Sequence, residues 1–140
     1  MSWIFYAFMS ALFAAATSIL AKIGIKDINS NLATAIRTVI IVIFAWGIVF
    51  AQGVQKDLKD ISSESITFLL LSGVATGLSW LFYFRALQLG DASKVAPIDK
   101  LSLVLTIIFA VIFLKEKVNI IIILGAILMS VGAIIISLAR

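Results

Sequence analysis

A chain of 140 residues that is 63% hydrophobic and 13% charged, with a mean hydropathy of +1.21, is far from the soluble balance of about half apolar and a quarter charged, and it reads as an all-α integral membrane protein. Having neither Cys nor His, it lacks disulfides, thiolate chemistry, the commonest metal ligand and the usual general base near neutral pH, so most hydrolytic and metal-dependent enzyme classes fall away and no cofactor or metal site can be named. The net charge of +4 comes from basic residues at the ends of apolar runs, where they meet headgroups and cytoplasm, and no aromatic-interleaved patch suggests nucleic acid.

A hydrocarbon core of about 30 Å takes about 20 apolar residues per helix, and five spans fit: Trp3 to Ala21, Leu32 to Ala51, Ile66 to Leu87, Val95 to Leu114 and Ile120 to Leu138. The odd number puts the two termini on opposite faces, and no linker divides the chain, so a single domain over residues 1–140 is expected. The first run has no Lys or Arg before Trp3 and continues too far for a signal-peptide core, so it reads as a retained span. Between spans the punctuation is that of helices. Asn29, Ser30 and Asn31 offer caps for the second, Ser62 or Ser63 with Glu64 starts the third, and Asn119 starts the fifth. Gly90 stands where a left-handed cap would close the third helix, and Asp91 or Ser93 can cap the fourth. The connection from Gln52 to Glu64 alone is long enough to be mobile, and its QKDLKD composition is solvated.

Small residues recur along the first helix (Ala7, Ala11, Ala15, with Ala14, Ser18 and Ala21), the third (Gly73 and Gly77, a GxxxG pair) and the fifth (Gly125, Ser130, Gly132, Ala133). They read as packing seams, because helices in lipid associate by close approach rather than by a hydrophobic driving force. Hydroxyls form two stripes. Ser72, Thr76, Ser79 and Tyr83 share one face of the third helix beside Trp80, and Asp99, Ser102 and Thr106 share one face of the fourth. Each stripe either bonds to carbonyls one turn back or lines a polar cavity.

Arg37 and Asp99 lie about 9 Å below the same membrane face, with Lys100 one step deeper. A charge at depth costs roughly 2.5 to 3.5 kcal/mol on the insertion scale, so such groups pair or face water. Asp99 is the one deep acid, with Arg37, Lys100, Lys22 and Arg85 as basic candidates. The pair Arg37–Asp99 is either a static ion pair, the other cations snorkelling to headgroups, or a gate and substrate contact with Asp99 open to proton coupling. Pro97 is either a first-turn residue or a kink that frees a carbonyl toward the cavity. Loop charges barely orient the chain: Lys56, Lys59, Lys115 and Lys117 on the amino-terminal face stand against Lys22, Lys26, Arg85, Lys94 and Arg140 on the other, four against five. Opposed copies paired about an axis in the membrane plane would give the inverted-repeat geometry of secondary transporters.

These residues carry a resemblance. LFYFRALQLGDAS at the end of the third helix, VAPIDKLSLVL with its early Pro in the fourth, the close Leu114-Lys115-Glu116-Lys117 (where the pattern has a glycine or other small residue, then Glu and a base), LGAILMSVGAIII in the last helix and the Arg of AIRTVI in the second together resemble a single EamA-type repeat of the drug/metabolite transporter superfamily. The likeness covers all five spans and is strongest from Gly77 to Ile136. It implies one half of an inverted-repeat ten-helix fold, so that the working unit is a homodimer, with an antiparallel, dual-topology pairing open to it, or a pair with a paralogous half-transporter in the cell membrane. It implies secondary transport of a small metabolite or other small solute by alternating access, with proton or ion coupling as one form. The small multidrug-resistance relatives use an acid in their first helix; this sequence has none there, which leaves Asp99 as the substitute candidate. The basic excess at Arg37, Lys22, Lys100 and Arg85 favours an anionic or zwitterionic solute. The alternatives are a lipid-linked sugar flippase subunit and a non-transporting membrane assembly subunit. An enzyme is least expected, since no nucleophile with a base and no phosphate loop can be named.

Overall fold

A computed structural model of the chain describes residues 2–139; Arg140, counted above among the basic residues of one face, lies outside the described residues. Among the described residues six α-helices follow one another: α1 (Trp3–Gly24), α2 (Ser30–Gln52), α3 (Ser63–Leu89), α4 (Ala92–Asp99), α5 (Ser102–Phe113) and α6 (Ile120–Leu138). Five stretches are long and apolar enough to cross a membrane, α4 and α5 forming one of them as Ala92–Phe113. A helix satisfies its own backbone donors and acceptors, which lipid cannot do, so these apolar runs fold as helices and no strand occurs among the described residues. The chain divides into two compact units, Ile23–Gln88 and the remainder on either side of it.

In the unit Ile23–Gln88, α2 opens as its sequence leads one to expect. The Asn29 side chain accepts from the Asn31 and Leu32 N–H groups, satisfying donors that the first turn leaves open. At its other end the sequence reading missed Gly53, whose left-handed backbone (φ 72°) closes the helix while its N–H donates to the Phe50 and Val49 carbonyls. The connection read as long enough to be mobile contains a 3₁₀ segment, Val54–Asp60; its polar side chains are compatible with helical backbone as well as with solvent. Ser62 accepts from the Ser65 N–H at 3.1 Å at the start of α3. The buried core of this unit is small: Ile25, Ser30, Ala33, Thr34, Phe84 and Leu87. Gln88 fastens the α1–α2 connection to α3, its amide donating to the Ile28 carbonyl at 2.8 Å and the Ile25 carbonyl at 3.4 Å. Arg85 in turn donates to the Gln88 Oε1 at 2.7 Å.

In the other unit, α4 packs against α6, which α5 also touches, and Ala133 is buried there. Gly90 does not take the left-handed conformation expected of it; among the described glycines only Gly53 has positive φ. The Gly90 carbonyl instead accepts from Lys22 Nζ at 2.7 Å, a cation set where the α3 dipole ends negative. Asp91 precedes α4 without a capping bond from its side chain, whereas Asn119 caps α6 by accepting from the Ile122 N–H. The fourth span, expected as one helix from Val95 to Leu114, starts earlier and is interrupted. Pro97 falls in the interior of α4, where it has no N–H to offer the Ser93 carbonyl. Beyond it the backbone tightens: the Lys100 N–H reaches the Pro97 carbonyl at 3.1 Å and the Leu101 N–H the Ile98 carbonyl at 3.0 Å, bonds of 3₁₀ type that end one helix before Ser102 begins the next.

Candidate functional site

The break in the fourth span lies beside a cavity of about 530 Å³ between α1 and the α4–α5 segment. Ala7, Ala11, Ala14 and Ala15 form its α1 wall with Ser10 and Ser18, and Ala96, Pro97, Lys100 and Leu103 form the other. The alanine ridge read as a packing seam thus has a different consequence: side chains this short leave the two walls apart, and the space between them is of the size that holds a small molecule. Lys100 is the one charged residue of the lining. Its Nζ lies 3.2 Å from Asp99 Oδ2, which keeps two charges about two turns into the span mutually neutralised. A second cavity, about 290 Å³ between α5 and α6, is lined by Val104, Ile107, Ile127 and similar side chains, and its one hydroxyl, Ser130, is bonded to the Ala126 carbonyl. It offers a solute no free polar group.

Arg37 belongs to the other unit. Its guanidinium carbon lies 4.6 Å from the centroid of the Trp80 ring and 5.1 Å from that of Phe84. Trp80 and Phe84 are one turn apart on α3, so the two rings, each close to the guanidinium, form the shelf it lies on. Phe84 is 2% exposed, which fixes the shelf's floor, and Tyr83 meets it edge to face at 6.3 Å. Sequence reading had singled out Trp80 and Tyr83 and passed over Phe84; its i+4 spacing from Trp80 was the signal. The expected partners Arg37 and Asp99 fall in different units, and each has a partner in its own: aromatic rings for Arg37, Lys100 for Asp99.

In each hydroxyl stripe one threonine bonds to a carbonyl one turn back. Thr76 donates to the Ser72 carbonyl at 2.9 Å and Thr106 to the Ser102 carbonyl at 2.8 Å, and Ser72, Ser79 and Ser102 are exposed. Neither Ser102 nor Thr106 is in the lining of the cavity beside α1. Lys22, one of the basic candidates for Asp99 in the sequence reading, donates to the Gly90 carbonyl. At Gly73, Gly77, Gly125 and Gly132 an added Cβ would meet nothing within 4 Å, so within its own unit none of the four is a point of close helix approach.

The model of the EamA-like transporter family matches residues 1–138. The chain belongs to this family. Among relatives of this EamA-like protein, an uncharacterized transporter in the cobO 3′ region of a Sinorhizobium species is 50% identical over 97% of the chain and 96% of its own length, so it too has the length of one five-helix repeat. The uncharacterized protein MJ1333.1 of Methanocaldococcus jannaschii is 26% identical over 70% of the chain and 78% of its own length. No solved structure matches the EamA-like chain itself. Membership places the EamA-like chain among multi-pass membrane transporters of small solutes rather than among enzymes.

Proposed function

We propose that this EamA-like protein is a half-transporter of the cell membrane that works as a dimer, carrying a small metabolite by alternating access through the cavity at the break in its fourth span. The observation that carries the reading is the discontinuity itself: Pro97 and the residues after it interrupt the span where a cavity of about 530 Å³ adjoins it. Broken helices at membrane depth are where secondary transporters bind their solutes, because an interrupted backbone is tolerated only against protein or a polar cavity. The lining mixes short apolar side chains with Ser10, Ser18 and Lys100, which suits a compact solute with an anionic or zwitterionic group. Asp99, within reach of Lys100, is the acid through which protons would couple to the solute. Two opposed copies, or a copy with a paralogue, would restore the repeat number that the family's ten-helix members have in one chain.

Purified protein in proteoliposomes, offered a panel of small metabolites with and without a pH gradient, tests this. Gradient-driven flux of at least one solute is expected, with Asp99→Asn retaining exchange but losing the response to the gradient. A variant that still accumulates solute on the gradient would remove Asp99 from coupling, and failure of the whole panel in either protein orientation would count against transport.

A further inference from the structure

Arg37 stands seven residues beyond the start of α2, about 10 Å along the axis, and the acids of its unit do not reach that depth: Asp27, Asp57, Asp60 and Glu64 are all exposed residues at or beyond helix ends. The ion pair among the described residues is Lys100–Asp99, in the other unit, and the Arg37 guanidinium makes no hydrogen bond among the described residues. What holds it is the shelf of Trp80 and Phe84. A ring face attracts the cation as a whole and uses none of its five N–H donors. A guanidinium so held is oriented but unsatisfied, at a depth where unmade hydrogen bonds are costly. The complement to such a group is an oxyanion, since carboxylate and phosphate accept two parallel N–H bonds from one guanidinium.

We infer that Arg37, set on Trp80 and Phe84, is an oxyanion seat, binding the carboxylate or phosphate of a solute or of a lipid headgroup. Arg37 makes the contact, and Trp80 and Phe84 are positioning residues that fix its plane. The inference goes beyond the transport reading, adding an anion-binding point within the unit Ile23–Gln88, and it is tested by binding so that the two can fail separately. Trp80 is its own reporter once Trp3 and Trp46 are replaced by Phe. The full chain in phosphatidylcholine nanodiscs is titrated with sodium acetate and with inorganic phosphate at constant ionic strength, sodium chloride serving as the control.

A saturable change in Trp80 emission with acetate or phosphate is expected, weakened at least about tenfold in Arg37→Gln and partly kept in Arg37→Lys, with Phe84→Leu weakening it while the fold is retained by circular dichroism. In nanodiscs containing phosphatidylglycerol, a shifted emission before any titration, removed by Arg37→Gln, identifies the lipid phosphate as occupant. No saturable change in either lipid overturns the seat. So does an equal change in Arg37→Gln, or an emission unaltered by every anion until Asp99→Asn is introduced, which would assign Arg37 to that carboxylate instead. A protein that moves solutes without this signal loses the oxyanion seat and keeps the transport reading; one that shows the signal without flux keeps the seat and loses transport.

Discussion

Among the described residues Lys115 is the one non-glycine whose backbone is left-handed. It follows α5 with φ 54°, a left-handed conformation that costs an L-residue with a Cβ roughly 1 to 2 kcal/mol and glycine almost nothing. The conformation turns the chain so that the Glu116 N–H meets the Ala110 carbonyl at 3.2 Å, and a glycine there would make the same turn without the steric cost. Lys115→Gly is therefore expected to raise stability by about 1 kcal/mol, and Gly53→Ala, at φ 72°, to lower it by a similar amount. Urea titration of the detergent-solubilised protein, followed by helical circular dichroism, reads both, and opposite signs are required. Gln88 is a second residue whose weight lies in its bonds. Replacing it by Leu leaves the Ile25 and Ile28 carbonyls without their donor and releases Arg85, so a loss of about 1 to 3 kcal/mol is expected. Amide exchange should rise first between Ile25 and Asn29, where the α1–α2 connection is fastened; unchanged protection there would show that the core around Leu87 holds it unaided.

At the scale of the helix, the fourth span joins the fold to the proposed function, and Pro97 decides its form. Pro97→Ala returns an N–H to the Ser93 carbonyl and relieves the proline's clash with that turn, effects worth about 3 kcal/mol in a helix interior. The variant is expected to denature at higher urea and to transport more slowly, because a continuous helix closes the irregular segment next to the cavity; a stabilised variant with full flux would separate the break from transport. This span also shows what one sequence discloses. Length and hydropathy gave all five crossings, since an apolar run in lipid has one way to satisfy its backbone. Asn29 and Asn119 were legible as caps because their bonds are local. The contacts that were not legible all span a distance in the chain: Lys22 with Gly90, Gln88 with Ile25 and Arg37 with Phe84. Charge pairing by depth pointed to Arg37 for Asp99; the ion pair that Asp99 makes within its own unit is with Lys100, the next residue in the chain.

For the whole molecule, the glycines of α3 give the sharpest test of dimerisation. Gly73 and Gly77 are one turn apart on a helix, and a Cβ at either would meet nothing within 4 Å. In lipid such a groove gains from close approach of a second helix. Gly77→Leu separates the monomer's needs from the dimer's. Leucine is the better helix former by nearly 1 kcal/mol, and the space around the position in its own unit is open, so the folded monomer should be at least as stable as before. If the α3 face is the interface, the variant is expected to lose most of its dimer in nanodiscs, measured by energy transfer between labelled copies, while its helical content is unchanged. Because the chain has no Cys, a single Cys at Gly73 supplies a matching positive control: it should crosslink between copies in membranes, and Gly77→Leu should abolish the crosslink. A tag on the carboxyl terminus then distinguishes the pairing geometry, with accessibility from both sides of the membrane expected of an antiparallel dimer and from one side of a parallel one. Undiminished energy transfer in Gly77→Leu would take the interface away from α3 and leave the open faces at Gly125 and Gly132 of α6 as the place to repeat the substitution.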